Sequence, residues 1–432
     1  MIISPTELVA QLRGAGSRRA YLVNLDGRLR PSHAFLQPLA ERIVADRENY
    51  RGHLAIFFEI GKASEHLLCA FIDRTRRGQA AGGVRYWSYE TTEQLVHDGL
   101  RLATGMGHKC ALAGLWWGGG KGVIARRSDL AQTPALRQAI YQDYGRFISG
   151  LRGCYVTAED VGTRPADMAA IFQTTRHTTC IPPQVGGSGN PSVLTARGVV
   201  VAMEAALEAR GLGSLAGKRI AMQGLGQVSL YMIGELLERG VERIIGHDID
   251  PQAIAAVRER YADSRLEVRC VDRNDTTLFS ERCDVLAPNA VGAVLNPQTI
   301  PQLRAKIICG GANNQLAEMV RDGRALAERG IVYVPDFVAN RMGIVNCANE
   351  QYGCLSSDPA IERHLDRQWE EGIFQRVQQI LTRTETSQRS TAEEAVQLAD
   401  ELAEHPHPIW GDRARMIVAD LVDNGWAASG ES

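Results

Sequence analysis

Two lysines and a run of glycines make up the most unusual stretch of this chain: Gly105-Met-Gly-His-Lys109-Cys-Ala-Leu-Ala-Gly-Leu-Trp-Trp-Gly118-Gly-Gly-Lys121-Gly122. Three consecutive glycines suit neither a helix nor a strand interior, because each raises the cost of ordering the backbone. They are therefore expected to serve a local purpose, with backbone N–H groups meeting an anion at close range. A phosphate-binding P-loop does not fit, since Leu115 stands at its first glycine and Gly122 at its Ser/Thr. Lys121, set among glycines behind Trp116 and Trp117, is a candidate for a buried ammonium of lowered pKa, suited to proton transfer. Read alone, Lys109 is a solvated surface lysine. Further on, Tyr155-Val-Thr-Ala-Glu159-Asp160-Val-Gly-Thr163 sets two adjacent carboxylates at a strand end. That pattern reads either as a strand-to-helix turn capped by Asp160 or Thr163, or as a general base.

A second chemistry is written in Lys218-Arg-Ile-Ala-Met-Gln-Gly224-Leu-Gly226-Gln-Val-Ser229. A strand, a glycine turn and a helix in this order bind the pyrophosphate of a dinucleotide. Gly224 allows the tight turn, Gly226 lets the backbone come close, and the N–H groups around Gln227 and Val228 lie at the positive helix end. Ser229 replaces the usual small third residue. Asp248 falls 24 positions after Gly224, near the spacing of an acid that binds the adenosine ribose. A carboxylate there repels a 2′-phosphate, which favours NAD over NADP. Asp250 is its rival, and a strand-end aspartate also begins turns.

The elements that must carry these residues follow from patterning. Ser4-Pro5-Thr6-Glu7 is a capping box with Pro5 at the first helical position, and Gly14 ends that helix. Apolar runs at His53–Phe58 and His66–Ile72 read as strands, and residues 91–107 have helical periodicity through Leu95, Leu100, Leu102 and Met106. Pro191 opens a helix that Gly211 stops. Strands at Arg219–Gln223, Arg243–His247, Cys283–Ala287, Lys306–Cys309 and Ile331–Val334 then alternate with helical stretches, as in a mainly parallel, doubly covered sheet. Beyond Glu350 the chain is polar and helical, with a second capping box at Ser390–Glu393.

Composition narrows the function classes. With 432 residues, 50 acidic against 48 basic side chains and 44% hydrophobic content, the chain reads as a globular protein of two or three domains. It has no basic block for nucleic acid and no apolar run of about 20 residues for a bilayer. Nine cysteines without a C-x-x-C pair argue against a disulfide framework or zinc ribbon and point to a cytoplasmic protein. His405-Pro-His407 reads as a loop, so no metal is expected.

Taken together, Gly82-Gly-Val-Arg85, Gly105–Gly122, Thr157–Thr163, Pro191–Gly198, Gly224–Ser229, Ala287–Gly292, Gly311–Gln315 and Pro335–Asn340 resemble the glutamate/leucine/phenylalanine/valine dehydrogenase family, and its leucine dehydrogenase branch most closely. The resemblance implies an α/β protein of two domains with a cleft between them. These are a substrate and oligomerisation domain (1–185), a Rossmann NAD-binding domain (186–345) and C-terminal helices (346–432) returning to the first. It implies reversible oxidative deamination of an L-amino acid to a 2-oxo acid and ammonia by a homo-oligomer. Lys109, with backbone groups at Gly83 and Gly119, matches the substrate carboxylate site. Lys121 matches the catalytic lysine and Asp160 the proton-shuttling aspartate. Thr195, Ala287 and Asn313 match cofactor positions, and Asn340 a substrate-side asparagine. Ala81 replaces the lysine of glutamate-specific members. Together with Met106, Ile344 and Cys347 it implies an apolar side chain, branched or aromatic. One departure stands out: Arg341-Met342 replace the small residues expected after Asn340. Arg341 either faces the cleft and selects an unusual or acidic substrate, or points to solvent. A non-catalytic NAD-binding regulator is the competing class.

Overall fold

The computed structural model describes residues 3–355 and 357–428. The chain divides into two units, one of residues 1–189, 350–354 and 400–432, the other of residues 190–349 and 355–399. The segment after 346 is therefore not a single C-terminal body. Residues 346–349 and 355–399 belong with the second unit, and residues 350–354 and 400–432 with the first.

The first unit is built on seven strands: β1 (Arg19–Asn24), β2 (Leu29–Pro31), β3 (Ala55–Ile60), β4 (Leu67–Ile72), β5 (Ala80–Trp87), β6 (Gly118–Ala125) and β7 (Tyr155–Glu159). Their order is β2-β1-β3-β4-β6-β5-β7, antiparallel as far as β6 and parallel from β6 through β5 to β7. Strands β4 and β6 are buried at every position, as expected of strands covered on both faces. The apolar runs supply one core, with Phe58, Phe71, Leu95, Leu100 and Val123 among its members. The helix Thr92–Leu112 starts at a Thr91/Gln94 capping box and runs past its expected end, because Gly107 packs on β6.

That packing corrects the reading of the glycine run. Gly118, Gly119 and Gly120 are strand residues, and the N–H groups of Gly118 and Gly119 donate to the carbonyls of Gln79 (2.8 Å) and Arg74 (3.1 Å). A Cβ on Gly118 would lie 2.1 Å from the Arg74 oxygen, and one on Gly119 2.4 Å from the Ala103 oxygen. The glycines make room for neighbouring backbone, and the N–H groups of Gly118 and Gly119 are taken up by carbonyls.

The second unit holds β8 (Arg219–Gln223), β9 (Arg243–Asp248), β10 (Leu266–Cys270), β11 (Val285–Pro288), β12 (Ile307–Ile308) and β13 (Val332–Tyr333). All six are parallel, in the order β10-β9-β8-β11-β12-β13. This is the doubly wound order in which ligands sit beyond the carboxyl ends of the strands, where the winding reverses between β8 and β11. Strand β10 carries no sequence expectation. It is an edge strand interrupted by Glu267 and Arg269, so its apolar pattern is thin. Among the described residues no helix is long and apolar enough to cross a membrane, and the nine cysteines form no disulfide.

Candidate active site

In the first unit the Lys121 ammonium on β6 donates to Oδ2 of Asp160, the residue that follows β7. The same oxygen accepts from Arg85 Nε at 3.3 Å, so two cations flank one carboxylate oxygen. Arg85, on β5 between β6 and β7, is anchored in turn: Nη1 donates to Asp98 Oδ2 at 2.8 Å, and the Tyr89 hydroxyl donates to that oxygen at 2.7 Å. Gly83 lies beneath Asp160, where any side chain would strike the Asp160 Cβ at 2.7 Å. Lys121 is only 4% exposed. Burial pushes its pKa below that of an ordinary lysine, while Asp160 opposes the fall. Burial alone would raise the Asp160 pKa, but Lys121 and Arg85 outweigh it and hold the carboxyl below the usual range. A buried ammonium against a carboxylate that keeps partial access to solvent can pass protons to and from a third group. Glu159 is exposed and makes no part of this cluster. The turn itself is closed by Thr163, whose hydroxyl accepts from Asp160 N at 2.8 Å and donates to its carbonyl at 2.7 Å. The cap of the helix that follows is Arg164, neither of the two residues expected.

The helix Thr92–Leu112 lies on the glycine strand. Met106 faces Gly82, with its Cγ 3.1 Å from where a Cβ would stand, and half-buried Lys109 follows one turn later on that side. The two tryptophans divide: Trp117 is buried, whereas Trp116 is 43% exposed beneath the Arg77 guanidinium, 4.4 Å from its ring centre.

In the second unit Gly224 follows β8 with φ +87°, a left-handed conformation that favours glycine, and sits against Ala290 at the point where the winding reverses. Gly226 precedes the helix Gln227–Glu238, and nothing lies within 4 Å of where its Cβ would be. Open space in front of the first-turn N–H groups of Gln227 and Val228 suits a pyrophosphate. Ser229 is functional in the fold: its hydroxyl donates to the Gly224 carbonyl (2.6 Å) and accepts from Asn289 Nδ2 (2.9 Å). Asn289 Oδ1 then takes the Gly311 N–H at 2.6 Å. Asp248 ends β9, and its Oδ2 accepts from Leu225 N of the glycine turn at 2.5 Å. Its rival Asp250 caps the next helix through Gln252 N and donates its own N–H to Asp248 Oδ1 at 2.8 Å. Ala287 is buried in β11 beside Met222 of β8. Thr195 is buried in the first turn of the helix Ser192–Ala209. Asn340 donates to Asn313 Oδ1 at 2.8 Å and to the Gly311 carbonyl at 3.1 Å, joining two of the expected residues. Ile344 and Cys347 are buried in the helix Met342–Glu350.

Residues 70–177 match the dimerisation domain of Glu/Leu/Phe/Val dehydrogenases, and residues 186–403 match the glutamate/leucine/phenylalanine/valine dehydrogenase model. The chain belongs to this family. It is 41% identical to a leucine dehydrogenase of Bacillus subtilis over 381 residues, 88% of this chain and 96% of the relative. A leucine dehydrogenase of Geobacillus stearothermophilus is 44% identical over 309 residues, covering 71% and 80%. The L-tryptophan dehydrogenase of Nostoc punctiforme superposes with a TM-score of 0.67 at 31% identity, over 82% of this chain and 96% of that one. The protein is an amino-acid dehydrogenase of the leucine dehydrogenase branch, an oxidoreductase that uses a nicotinamide cofactor.

Within this family the Arg341-Met342 departure resolves differently from both expectations. Arg341 is fully buried, and its guanidinium donates to the Glu371 carbonyl. Burial first, then the nearby Arg376 cation, pushes its pKa down to about 9. Met342 is also fully buried, in space left by Gly198, whose Cβ would meet the Met342 Cγ at 2.6 Å. Both side chains are thus absorbed into the interior of their own unit. Sequence reasoning gave no role to Arg85, Asp98, Tyr89 or Asn289. The available signal was Arg85 itself, a cation inside the otherwise apolar run of β5.

Proposed function

We propose that this dehydrogenase catalyses NAD-linked, reversible oxidative deamination of apolar L-amino acids, branched aliphatic ones first, as a homo-oligomer. The observation that carries the reading is the buried Lys121–Asp160 pair. In this scheme Lys109 pairs with the α-carboxylate, with backbone at Gly83 and Gly119 shaping the wall. Asp160 accepts a proton from the substrate ammonium, so that a neutral amine can lose hydride from Cα. A bound nicotinamide ring supplies the acceptor for that hydride. Lys121 then stabilises oxygen charge as water adds to the imine, and Asp160 takes up and returns the remaining protons until ammonia leaves.

Cofactor choice rests on the second unit. Gly224, Gly226, Gln227 and Val228 receive the pyrophosphate, Asp248 the adenosine ribose, and Thr195, Ala287 and Asn313 flank the nicotinamide end. The Asp248 carboxylate disfavours a 2′-phosphate. Side-chain choice rests on Ala81, where a cation for glutamate is missing, and on apolar Met106, Ile344 and Cys347. Asn340 orients the substrate amine. The family's dimerisation-domain match supports assembly of identical chains. The leucine dehydrogenases stand above the phenylalanine dehydrogenase of Lysinibacillus sphaericus (36%) in identity, which favours aliphatic over aromatic substrates.

The test is dinucleotide reduction measured for each L-amino acid with NAD and with NADP. Turnover of leucine, isoleucine or valine with NAD is expected. A preference for glutamate or for NADP would refute the corresponding half of the reading. Dinucleotide binding without turnover of any amino acid would establish the regulator.

A further inference from the structure

Asp400 joins separate elements of the first unit at one carboxylate. Its Oδ1 accepts from Arg74 Nη2 at 2.5 Å and lies 2.9 Å from His108 Nε2. Arg74 follows β4, and its carbonyl accepts the Gly119 N–H at the start of β6. His108 lies near the end of the helix Thr92–Leu112, immediately before Lys109. The chain beyond Asp400 then follows the connection from β4 to β5. Thr75 Oγ1 donates to Asp412 at 2.6 Å, Arg76 Nη1 to Glu404 at 3.1 Å, and Arg77 Nη1 to the Leu402 carbonyl at 3.1 Å. His407 N donates to the Arg76 carbonyl at 2.7 Å. Four consecutive residues, Arg74 to Arg77, are thus each bonded to residues 400–412. The sign of charge matches, with Arg74, Arg76 and Arg77 on one side and Asp400, Glu404 and Asp412 on the other. Burial disfavours the Asp400 anion, but His108 and Arg74 more than compensate and hold its pKa down to about 2, so it is ionised across the working range.

We propose that Asp400 is a positioning residue for amino-acid binding: by tying His108 to Arg74 it fixes the end of the Lys109 helix against the glycine strand. The proposal rests on the reading of Lys109 as the substrate-carboxylate partner. Helix ends fray when nothing holds them, and a small displacement of a positioning cation weakens its hold on the ligand. The dinucleotide is bound by other residues and is unaffected.

Steady-state kinetics of Asp400→Asn and His108→Gln test this. Each variant is expected to raise KM for the amino acid about tenfold while kcat at saturation stays within about twofold and KM for the dinucleotide does not move. The double variant is expected to cost no more than either single one, because both break the same junction. Asp400→Glu, which keeps the charge, is expected to recover part of the loss. Unchanged kinetics, or a parallel loss of kcat and of both binding terms, would overturn the proposal. Should Asp400→Asn fail to fold, His108→Gln opens the junction from the other side. Lys109→Ala separates the two layers. If it leaves KM unaltered, the reading of Lys109 itself falls; if it raises KM while the junction variants do not, only the positioning role falls.

Discussion

Arg85 offers the sharpest test of how the site is tuned. It stands 3.3 Å from Asp160 Oδ2 and shares that oxygen with Lys121. At an effective dielectric constant of about 20, unit charges at that separation attract by about 5 kcal/mol, an upper figure for a carboxylate that keeps some solvent contact. A charge-assisted hydrogen bond of this kind contributes a net ~1.5–3 kcal/mol. The sign is the same for both neighbours. Arg85 stabilises the Asp160 anion and disfavours the Lys121 ammonium, so its removal raises the pKa of each. Arg85→Met is therefore expected to move both limbs of the pH profile of kcat/KM toward alkaline pH, by about one pH unit. Arg85→Lys keeps the charge without the fork that reaches Asp98 and is expected to move them less than half as far. Profiles of wild type and variant, recorded with the same amino acid so that its own titration cancels, decide the matter. A variant that loses activity with its limbs in place would make Arg85 merely structural, and an acid shift would refute the electrostatic argument.

Three further outcomes are expected. Arg341→Met should leave the order of amino-acid substrates unchanged and alter unfolding free energy in urea by less than about 2 kcal/mol, because a buried cation is exchanged for an apolar chain of similar length; a new substrate order would refute its interior placement. Ser229→Ala removes the bond to the Gly224 carbonyl and leaves Asn289 Nδ2 without that acceptor, so dinucleotide Kd measured by fluorescence titration should rise about three- to tenfold. Glu393→Gln should lower stability at neutral pH by about 1–2 kcal/mol, a figure reduced for the exposure of its partner Arg324. Arg324 and the Ser390 cap depress the Glu393 pKa from 4.5 to about 2, so the deficit should be full above about pH 4.5 and vanish as pH falls toward 2.

Features with a short-range cause were legible in the sequence. The Ser4/Glu7 and Ser390/Glu393 boxes both form, because each needs only residues three apart. Strand β8 spans the expected residues, since an apolar run between a turn and a glycine has one natural placement. Strands β11, β12 and β13 are shorter or displaced, their ends being set by pairing with neighbours and not by their own composition. The carboxylate network was not legible for the same reason: Arg85 and Asp160 are 75 positions apart, and only the order β6-β5-β7 makes them neighbours.

Glycine shows most clearly where residue type stops being informative. At Gly224 the requirement is a positive φ; at Gly118 and Gly119 it is room for an oxygen of another backbone; at Gly226 it is empty space in front of a helix. All three select the same residue and leave the same mark in a sequence. The first is recoverable from the strand–turn–helix pattern around it. The second depends on Arg74 and Ala103, which reach β6 through tertiary packing, so a run of three glycines was open to being taken for an anion cradle. The expectation of a buried Lys121 ammonium with a lowered pKa rests on its setting and not on any cradle: the glycines let the helix close over β6 and bury the ammonium, and burial pushes its pKa down.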